Sequence, residues 1–297
     1  MEEPESYDGH VKLQARLSNT ISKREDNRFT YFVCDELFGP AESSSLLRQF
    51  PTRQLESLRN PDVSHSTISS IRHPEMFRNI LNESPEWKEV CEWFASREFV
   101  RDTLSVFREP ILKKYPPIIR QLLRPWILRE SRYYGEAQFS LRHTGSVLSP
   151  HTDNADKVLA LIVYFPEPHE SADQGGTAFY LPKSRKSEVR VFQRYMKMGW
   201  LMPFGLRRLK STKLPTVDSL DAIAKVGEHL DFFDREYDRA LDAPFRLGAA
   251  GGFIKNQFSW HDLRLHTFPP GQVRRSLLVN VFLRPSKLRT LMNRVFG

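Results

Sequence analysis

The sequence predicts a domain built mainly of β-strands with flanking helices, a mainly β (α+β) fold class. Short apolar segments separated by Gly, Pro and polar turns recur from about residue 136 onward. Helical patterns are concentrated in the front third of the chain. This order of elements favours an antiparallel sandwich or barrel over a doubly wound parallel sheet.

The front third begins with a polar segment and continues into helices. Residues 1–27 lack periodicity, and we expect a flexible tail there. The segment "RFTYFVCDELF", residues 28–38, is aromatic and β-branched and predicts a strand. Ser84 as N-cap and Pro85 at the first helical position then predict the start of a helix. A second helix is expected through residues 98–115.

Strands dominate the rest of the chain. "KVLALIVYF", residues 157–165, is a continuous apolar run ended by Pro166, which is typical of a strand buried on both faces. The other predicted strands cover 136–143, 175–182, 251–260 and 274–283. The Gly pair at 175–176 is expected to make a tight turn.

Residues 183–245 do not fit a strand pattern and are predicted to form an insert or lid. Their first part, 183–213, holds ten Lys or Arg and one acidic residue, whereas 218–241 resembles an acidic helix. The basic part is either a solvated surface, a cover over an anionic substrate, or a peripheral membrane contact through 190–210. Nucleic acid is disfavoured, because no recognition motif flanks the segment.

Composition indicates one globular domain, residues 28–297, with anionic partners. The chain is 40% hydrophobic and 27% charged, and its net charge is +8. Cys34 and Cys91 lie in apolar surroundings and are expected to be buried free thiols, as in a cytoplasmic protein. The N-terminus does not resemble a signal peptide, and no apolar run is long enough to span a membrane.

A polar cluster precedes the long apolar run. His151 and Asp153 are two residues apart, so in a strand both side chains point to the same side. They supply two of the three ligands of a 2-His-1-carboxylate metal site, which binds Fe(II) and leaves positions open. His261 or His266, both in "NQFSWHDLRLHTF", would supply the third. The alternative is a simple turn stabilised by an Asx-type hydrogen bond.

A second pair of polar residues follows in "GQVRRSLLVNVFL". Arg274 and Ser276 share one strand face, and an Arg with a hydroxyl group beside it suits a carboxylate. Arg275, on the opposite face, is the competing candidate.

These motifs occur in the order His151-Thr152-Asp153, Ser259-Trp260-His261 and Arg274-Arg275-Ser276. In this order they resemble the Fe(II)/2-oxoglutarate-dependent dioxygenase superfamily, in its prolyl-hydroxylase-like branch. "QFSLRHTG", which contains Gln138, resembles the strand that leads into the metal motif of that branch. The resemblance covers most of residues 28–285, and the basic insert is the main unmatched part.

The resemblance implies a double-stranded β-helix, a relative of the jelly roll. His151, Asp153 and His261 would hold Fe(II). Arg274 and Ser276 would bind the distal carboxylate of 2-oxoglutarate, and Gln138 would lie beside the co-substrate. Many members of the branch have a Tyr four residues after this Gln. Arg142 occupies that position here, where it would contact either the co-substrate or an anionic substrate.

The implied activity is the hydroxylation of an unactivated C–H bond in an anionic or amphiphilic small molecule. It would consume O2 and 2-oxoglutarate and release succinate and CO2. The carboxylate of Asp153 disfavours halogenation, while desaturation and cyclisation stay open. The alternative is a non-catalytic, cupin-like binding or regulatory module.

Overall fold

The computed structural model describes most of the chain between residues 21 and 284. The described residues are 21–25, 29–58, 65–143, 147–153, 156–170, 176–201, 206–213, 220–256, 258–264 and 273–284. Of these, the backbone alone is described for 21–25, 147, 195–201, 206–213, 220–226 and 264.

Helices occupy most of the front third and return in the predicted insert. They are α1 Pro40–Arg48, α2 Thr52–Ser57, α3 Pro74–Glu83, α4 Pro85–Ala95, α5 Arg97–Val106, α6 Arg108–Leu112, α7 Pro117–Ile127, α8 Arg185–Tyr195 and α9 Leu220–Glu236. The predicted start at Ser84 is confirmed, because its side chain accepts a hydrogen bond from Trp87 N at the first turn of α4. Ser96 caps α5 in the same way.

The first sheet, sheet A, has seven strands in the order β1-β2-β11-β6-β13-β4-β3. Its strands are β1 Ile21–Glu25, β2 Thr30–Cys34, β3 His65–Ser69, β4 Tyr133–His143, β6 Lys157–Tyr164, β11 Ala250–Ile254 and β13 Val273–Leu283. All neighbouring strands are antiparallel.

The second sheet, sheet B, has six strands in the order β10-β7-β12-β5-β9-β8, also antiparallel. Its strands are β5 Val147–Thr152, β7 Ala178–Pro182, β8 Met196–Leu201, β9 Leu206–Lys213, β10 Tyr237–Asp242 and β12 His261–Arg264.

The two sheets pack face to face. One buried cluster joins Tyr31, Ala160 and Phe253 of sheet A to Phe179 of sheet B. From β4 onward the core strands alternate between the sheets, apart from the β7–β10 pair, which lies wholly in sheet B. This alternation defines a double-stranded β-helix, so the predicted fold class is confirmed.

The front-third helices cover the outer face of sheet A and build the largest core cluster. Trp87 is fully buried and packs edge-on against Phe139 and Phe165, with ring centroids 4.9 and 5.1 Å away. Its indole N–H donates to Leu46 O at 3.0 Å. The rigid layer thereby formed supports β4, β6 and β13 from behind.

Two sequence expectations differ from the structure at the N-terminus. Residues 21–25, placed in the flexible tail, form β1 and pair with β2 in the register Ile21–Cys34. The first predicted strand is also shorter, Thr30–Cys34 instead of 28–38. Backbone pairing to an open sheet edge needs no apolar pattern, so the polar sequence of β1 gave no signal. Residues 1–20 lie outside the described part of the chain.

The segment 183–245 contains strands, contrary to the sequence expectation. β8 and β9 pair with each other, and β9 extends sheet B beside β5. The predicted acidic helix is present as α9. β10 belongs to the core, because it pairs with β7. The inserted part therefore runs from about residue 183 to 236, between two paired core strands.

Candidate metal centre

The side chains of His151, Asp153 and His261 converge on one point. Asp153 directly follows β5, and His261 opens β12, where it lies opposite His151 in the antiparallel register. His151 Nε2 lies 3.6 Å from Asp153 Oδ1, and His261 Nε2 lies 4.0 Å from Asp153 Oδ2. One ligand atom from each residue lies within 4.8 Å of the other two.

Both imidazoles are oriented by the backbone. His151 Nδ1 donates to Ser149 O at 2.9 Å, and His261 Nδ1 donates to Ser259 O at 3.0 Å. A carbonyl oxygen only accepts, so each Nδ1 carries a proton, and in the neutral imidazole Nε2 is then the nitrogen with the free lone pair. Hydrogen bonds of this kind orient metal-binding histidines in known metal sites.

The protonation states also suit a metal ion. Burial alone would raise the pKa of the Asp153 carboxyl. The ammonium group of Lys157, at 2.8 Å, and the two imidazoles outweigh burial and hold this pKa well below its ordinary value. Burial and the neighbouring His151 lower the pKa of His261 to about 3. Near pH 7 the site therefore offers an ionised carboxylate and a neutral His261 imidazole, the forms that bind cations.

This donor set fits a divalent transition metal. Two imidazole nitrogens and one carboxylate form the facial triad of non-haem Fe(II) sites, which leaves the remaining positions to other ligands. The triad is half-buried to buried, so a bound ion would be only partly screened by solvent.

The triad lies over the inner face of sheet A. The ring of Phe253 packs against His261, with centroids 4.3 Å apart. Four residues form one row across neighbouring strands of sheet A. In order they are Phe253 on β11, Ala160 on β6, Asn280 on β13 and Glu136 on β4. This row of residues forms the floor beneath the triad, and the buried amide of Asn280 is its central polar group.

Arg274 and Ser276 lie on the same face of β13 as Asn280, nearer to the start of the strand. Ser276 is opposite Tyr164 on β6. The Arg274 guanidinium lies over the Tyr164 ring, 4.9 Å from its centroid, and donates to Thr177 Oγ1 at 3.4 Å. The guanidinium group of Arg274 therefore lies beside the Ser276–Tyr164 pair.

Buried polar atoms without partners mark this end of the cavity. Arg274 is 3% exposed and its Nε has no hydrogen-bond partner among the described residues. The hydroxyls of Ser276 and of Ser140, which lies opposite Ser276 on β4, are also buried without partners there. Burial lowers the pKa of the Arg274 guanidinium. Such groups are costly unless a ligand completes them, and a carboxylate matches their charge and donors.

Arg275 is engaged on the opposite face of β13. Its Nη1 donates to Glu170 Oε2 at 2.8 Å, and its Nε donates to Thr52 Oγ1 at 3.4 Å. Arg275, the competing candidate, thus joins the buried Glu170 to α2. Of the two arginines, Arg274 is the one inside the cavity.

Gln138, Ser140 and Arg142 are two residues apart along β4, so their side chains lie on the same face of the strand. Gln138 is opposite Leu278, and Arg142 is opposite Arg274. Both are half-buried. The competing histidine, His266, lies outside the described residues.

Gly176 has a steric role that the predicted turn did not include. A Cβ atom there would lie 2.0 Å from Ala243 O. The close approach lets Ala243 N donate to Thr177 O at 3.0 Å. Gly176 thus fixes Thr177, the residue that accepts from Arg274.

Three lysines near the triad were missed by sequence reasoning. Lys157 bonds Asp153, and the ammonium of Lys114 donates to Lys157 O at 3.1 Å. Lys255 is only 4% exposed, and burial lowers its pKa to about 7, although Asp153 acts in the opposite direction. The position of Lys157 four residues after Asp153 was a usable signal. Lys255 in "GGFIKNQF" gave none.

No protein-family model and no curated protein matches the chain. Solved structures similar to it include a Pseudomonas putida prolyl-4-hydroxylase, at 12% identity and a TM-score of 0.37, covering 93% of this chain and 98% of that one. EvdO2 from Micromonospora carbonacea var. aurantiaca, complexed with 2-oxoglutarate, has 13% identity and a TM-score of 0.42, covering 96% and 95%. HygX from Streptomyces hygroscopicus, with nickel and 2-oxoglutarate bound, has 12% identity and a TM-score of 0.42, covering 86% and 84%.

The similar structures thus include a prolyl hydroxylase and proteins that bind 2-oxoglutarate. The chemistry of this chain is inferred from its own strand order and the residues of its site.

Proposed function

We propose that the protein is an Fe(II)- and 2-oxoglutarate-dependent dioxygenase. The observation that carries the proposal is that His151, Asp153 and His261 converge over the same face of sheet A that carries the buried, incompletely bonded pair Arg274 and Ser276. A metal triad alone suits many divalent ions, and a buried Arg alone suits many anions. Together they match a ligand that chelates a metal at one end and carries a carboxylate at the other, as 2-oxoglutarate does.

Each residue has a role in this proposal. His151, Asp153 and His261 hold Fe(II), which when bound supplies the oxidation of a C–H bond with O2 while 2-oxoglutarate becomes succinate and CO2. Arg274 and Ser276 bind the distal carboxylate. The Nδ1 hydrogen bonds of the histidines and the contact between Lys157 and Asp153 keep the ligand atoms aimed at the metal.

Gln138 and Arg142 are assigned to the wall of the co-substrate pocket. Their support is the register, because Arg142 is the direct neighbour of Arg274 across the β4–β13 pair. Two like charges side by side repel each other, and the carboxylate of a ligand bound beside them would reduce that repulsion.

The substrate is proposed to be an anionic small molecule. The three lysines around Asp153 support this, because Lys157, Lys114 and the partly protonated Lys255 together carry more positive charge near pH 7 than the one carboxylate of Asp153 neutralises. Buried cations of this kind favour a carboxylate or a phosphate. Hydroxylation is the proposed outcome, and the carboxylate of Asp153 supports it over halogenation.

Two further proposals concern the role of the insert and the location of the protein in the cell. The insert, 183–236, is proposed as a cover over the substrate, and its basic part, 190–210, as a peripheral membrane contact. A cytoplasmic location is supported by Cys34 and Cys91, which are both buried and are not joined in a disulfide.

The test of catalysis is succinate formation from 2-oxoglutarate with Fe(II) and O2 in the absence of a primary substrate. We expect slow uncoupled turnover in the wild type and none in His151→Ala. His169→Ala is the matched control, because His169 is exposed and outside the site, and it should retain the wild-type rate. No succinate from the iron-loaded wild type under any condition would favour the non-catalytic binding module.

The substrate class is tested with pairs of compounds that differ only in charge, such as carboxylates with their amides and phosphate esters with their alcohols. The anionic members should stimulate succinate formation, and Lys255→Met should reduce that stimulation while the uncoupled rate is retained. Stimulation confined to neutral members would contradict an anionic substrate without affecting the proposed reaction type.

A further inference from the structure

Helix α7 carries an exposed apolar surface. Five of the seven large hydrophobic side chains that are exposed among the described residues lie on this one helix. They are Ile118 at 71%, Leu122 at 71%, Trp126 at 49%, Leu123 at 39% and Ile119 at 38% exposure. Single exposed apolar residues are common, but a contiguous group marks an interaction surface.

The helix is fixed to the body at its C-terminal end. Ile127 is fully buried, and the hydroxyl of Tyr133 donates to its carbonyl. Leu123 departs from helical angles and Pro125 follows it, so α7 bends there. Ile118 and Leu122 are one turn apart on the same face of the first part. The exposed surface is thus a fixed feature of the fold.

Positive charge surrounds this surface. Residues 108–132 contain seven Lys or Arg and two Glu. Arg132 stacks on Trp126, with its Cζ 3.3 Å from a ring centroid, and donates to Trp126 O at 3.2 Å. Lys113 and Arg129 are exposed at the two ends of the helix. Apolar side chains are therefore bordered by cations at both ends.

We propose that α7 binds the surface of an anionic lipid bilayer and lies in the plane of its headgroups. Apolar side chains inserted at that depth, with Lys and Arg at the phosphates and Trp at the boundary, are the pattern of interfacial helices. Nucleic acid would match the cations but would leave five apolar side chains in water. No helix among the described residues is long and apolar enough to cross a membrane, so the contact is peripheral.

The position of α7 relative to the metal centre gives this contact a consequence. Lys114, in the link from α6 to α7, donates to Lys157 O, and Lys157 bonds Asp153. The start of α7 is thus connected to the metal side of the cavity. Binding through α7 would hold that side near the bilayer, where amphiphilic anionic substrates reside. The membrane contact itself does not depend on the proposed reaction.

The experiment is flotation of the full chain with two kinds of vesicle. One is pure phosphatidylcholine, and the other contains equal parts of phosphatidylglycerol and phosphatidylcholine. We expect binding to the anionic vesicles only, weakened by added salt. Leu122→Ser with Trp126→Ser should weaken it tenfold or more, roughly what the loss of two inserted apolar side chains implies. Lys113→Glu with Arg129→Glu should weaken it as well.

The control variant is Ile71→Ser, because Ile71 is 64% exposed but lies outside α7, and it should bind like the wild type. Circular dichroism and uncoupled succinate formation should be unchanged in all variants. Absence of wild-type binding to anionic vesicles, equal binding to both vesicle types, or unchanged binding by the serine variant would overturn the proposal. So would a stable dimer, seen by light scattering, that the serine variant dissociates.

Discussion

Arg274 and Arg275 are consecutive residues that lie on opposite faces of β13. Arg274 is inside the cavity, over the ring of Tyr164, while Arg275 is outside it and bonded to Glu170. Strand alternation places one guanidinium group on the face proposed to bind the co-substrate and the other in a structural ion pair. The two residues should therefore respond to mutation in different measurements.

Arg274→Lys should weaken 2-oxoglutarate binding by roughly ten- to a hundredfold, because an ammonium group does not reproduce the fork of a guanidinium. Its free energy of unfolding without ligands should fall by no more than about 1 kcal/mol, because the variant loses the long hydrogen bond to Thr177 but the native Nε has no partner among the described residues to lose. Calorimetric titration with 2-oxoglutarate and urea unfolding are the two measurements. An unchanged affinity for 2-oxoglutarate would show that Arg274 does not bind the co-substrate.

Arg275→Met should show the opposite result. Breaking its buried pair with Glu170 should lower the free energy of unfolding by roughly 3–5 kcal/mol, because the carboxylate is left buried and unpaired. The affinity of the folded protein for 2-oxoglutarate should stay close to that of the wild type. A specific loss of that affinity would mean that Arg275 is the co-substrate ligand.

Gly176→Ala should disturb the partner of Arg274 without touching the metal ligands. The new Cβ would meet Ala243 O at 2.0 Å, so the backbone at Thr177 must shift. We expect a loss of about 1–3 kcal/mol in the free energy of unfolding and weaker 2-oxoglutarate binding. Gly227→Ala is the control, because its Cβ would meet nothing within 4 Å, and helix propensity predicts a slight gain. Equal behaviour of the two variants would argue against the steric role of Gly176.

The buried lysines should make stability depend on pH between 7 and 9. Burial lowers the pKa of Lys255 to about 7 and that of Lys114 to about 8, whereas the unfolded chain keeps both near 10.5. The unfolded state therefore binds more protons in this range, and stability rises with pH. Above 9.0 the buried thiol of Cys91, whose pKa is raised, opposes the rise.

Lys255→Met isolates the contribution of one lysine. It should flatten the slope of unfolding free energy with pH, by up to about 1.4 kcal/mol per pH unit, and should stabilise the protein at pH 7. Urea unfolding at several pH values measures this slope. A slope that is the same in the variant and the wild type would show that Lys255 is not the titrating group.

The sequence predicts the site better than its surroundings. His151, Asp153, Arg274 and Ser276 follow the two-residue period of strands, so their shared directions are visible in the sequence. The approach of His261 depends on the pairing of β5 with β12, which no local pattern contains. For this step the order of the motifs and their resemblance to a known family were needed.

Other features had no local signal. β9 is basic and resembles a solvated surface, and its pairing with β5 of sheet B and with β8 is what makes it a strand. The burial of Lys255 depends on strands distant in sequence. The exposure of α7 could not be predicted either, because a helical segment rich in apolar residues is ordinarily expected to pack in the core.

The central claim is that the triad and Arg274 bind Fe(II) and 2-oxoglutarate together in one cavity. Its most direct test is an anaerobic titration of the protein with Fe(II) and 2-oxoglutarate, followed by visible absorption spectroscopy. The wild type should develop the charge-transfer band of 2-oxoglutarate chelated to Fe(II). The band should be absent in Asp153→Ala and should need more 2-oxoglutarate in Arg274→Lys. No band in the wild type, or an undiminished band in Asp153→Ala, would contradict the proposed function.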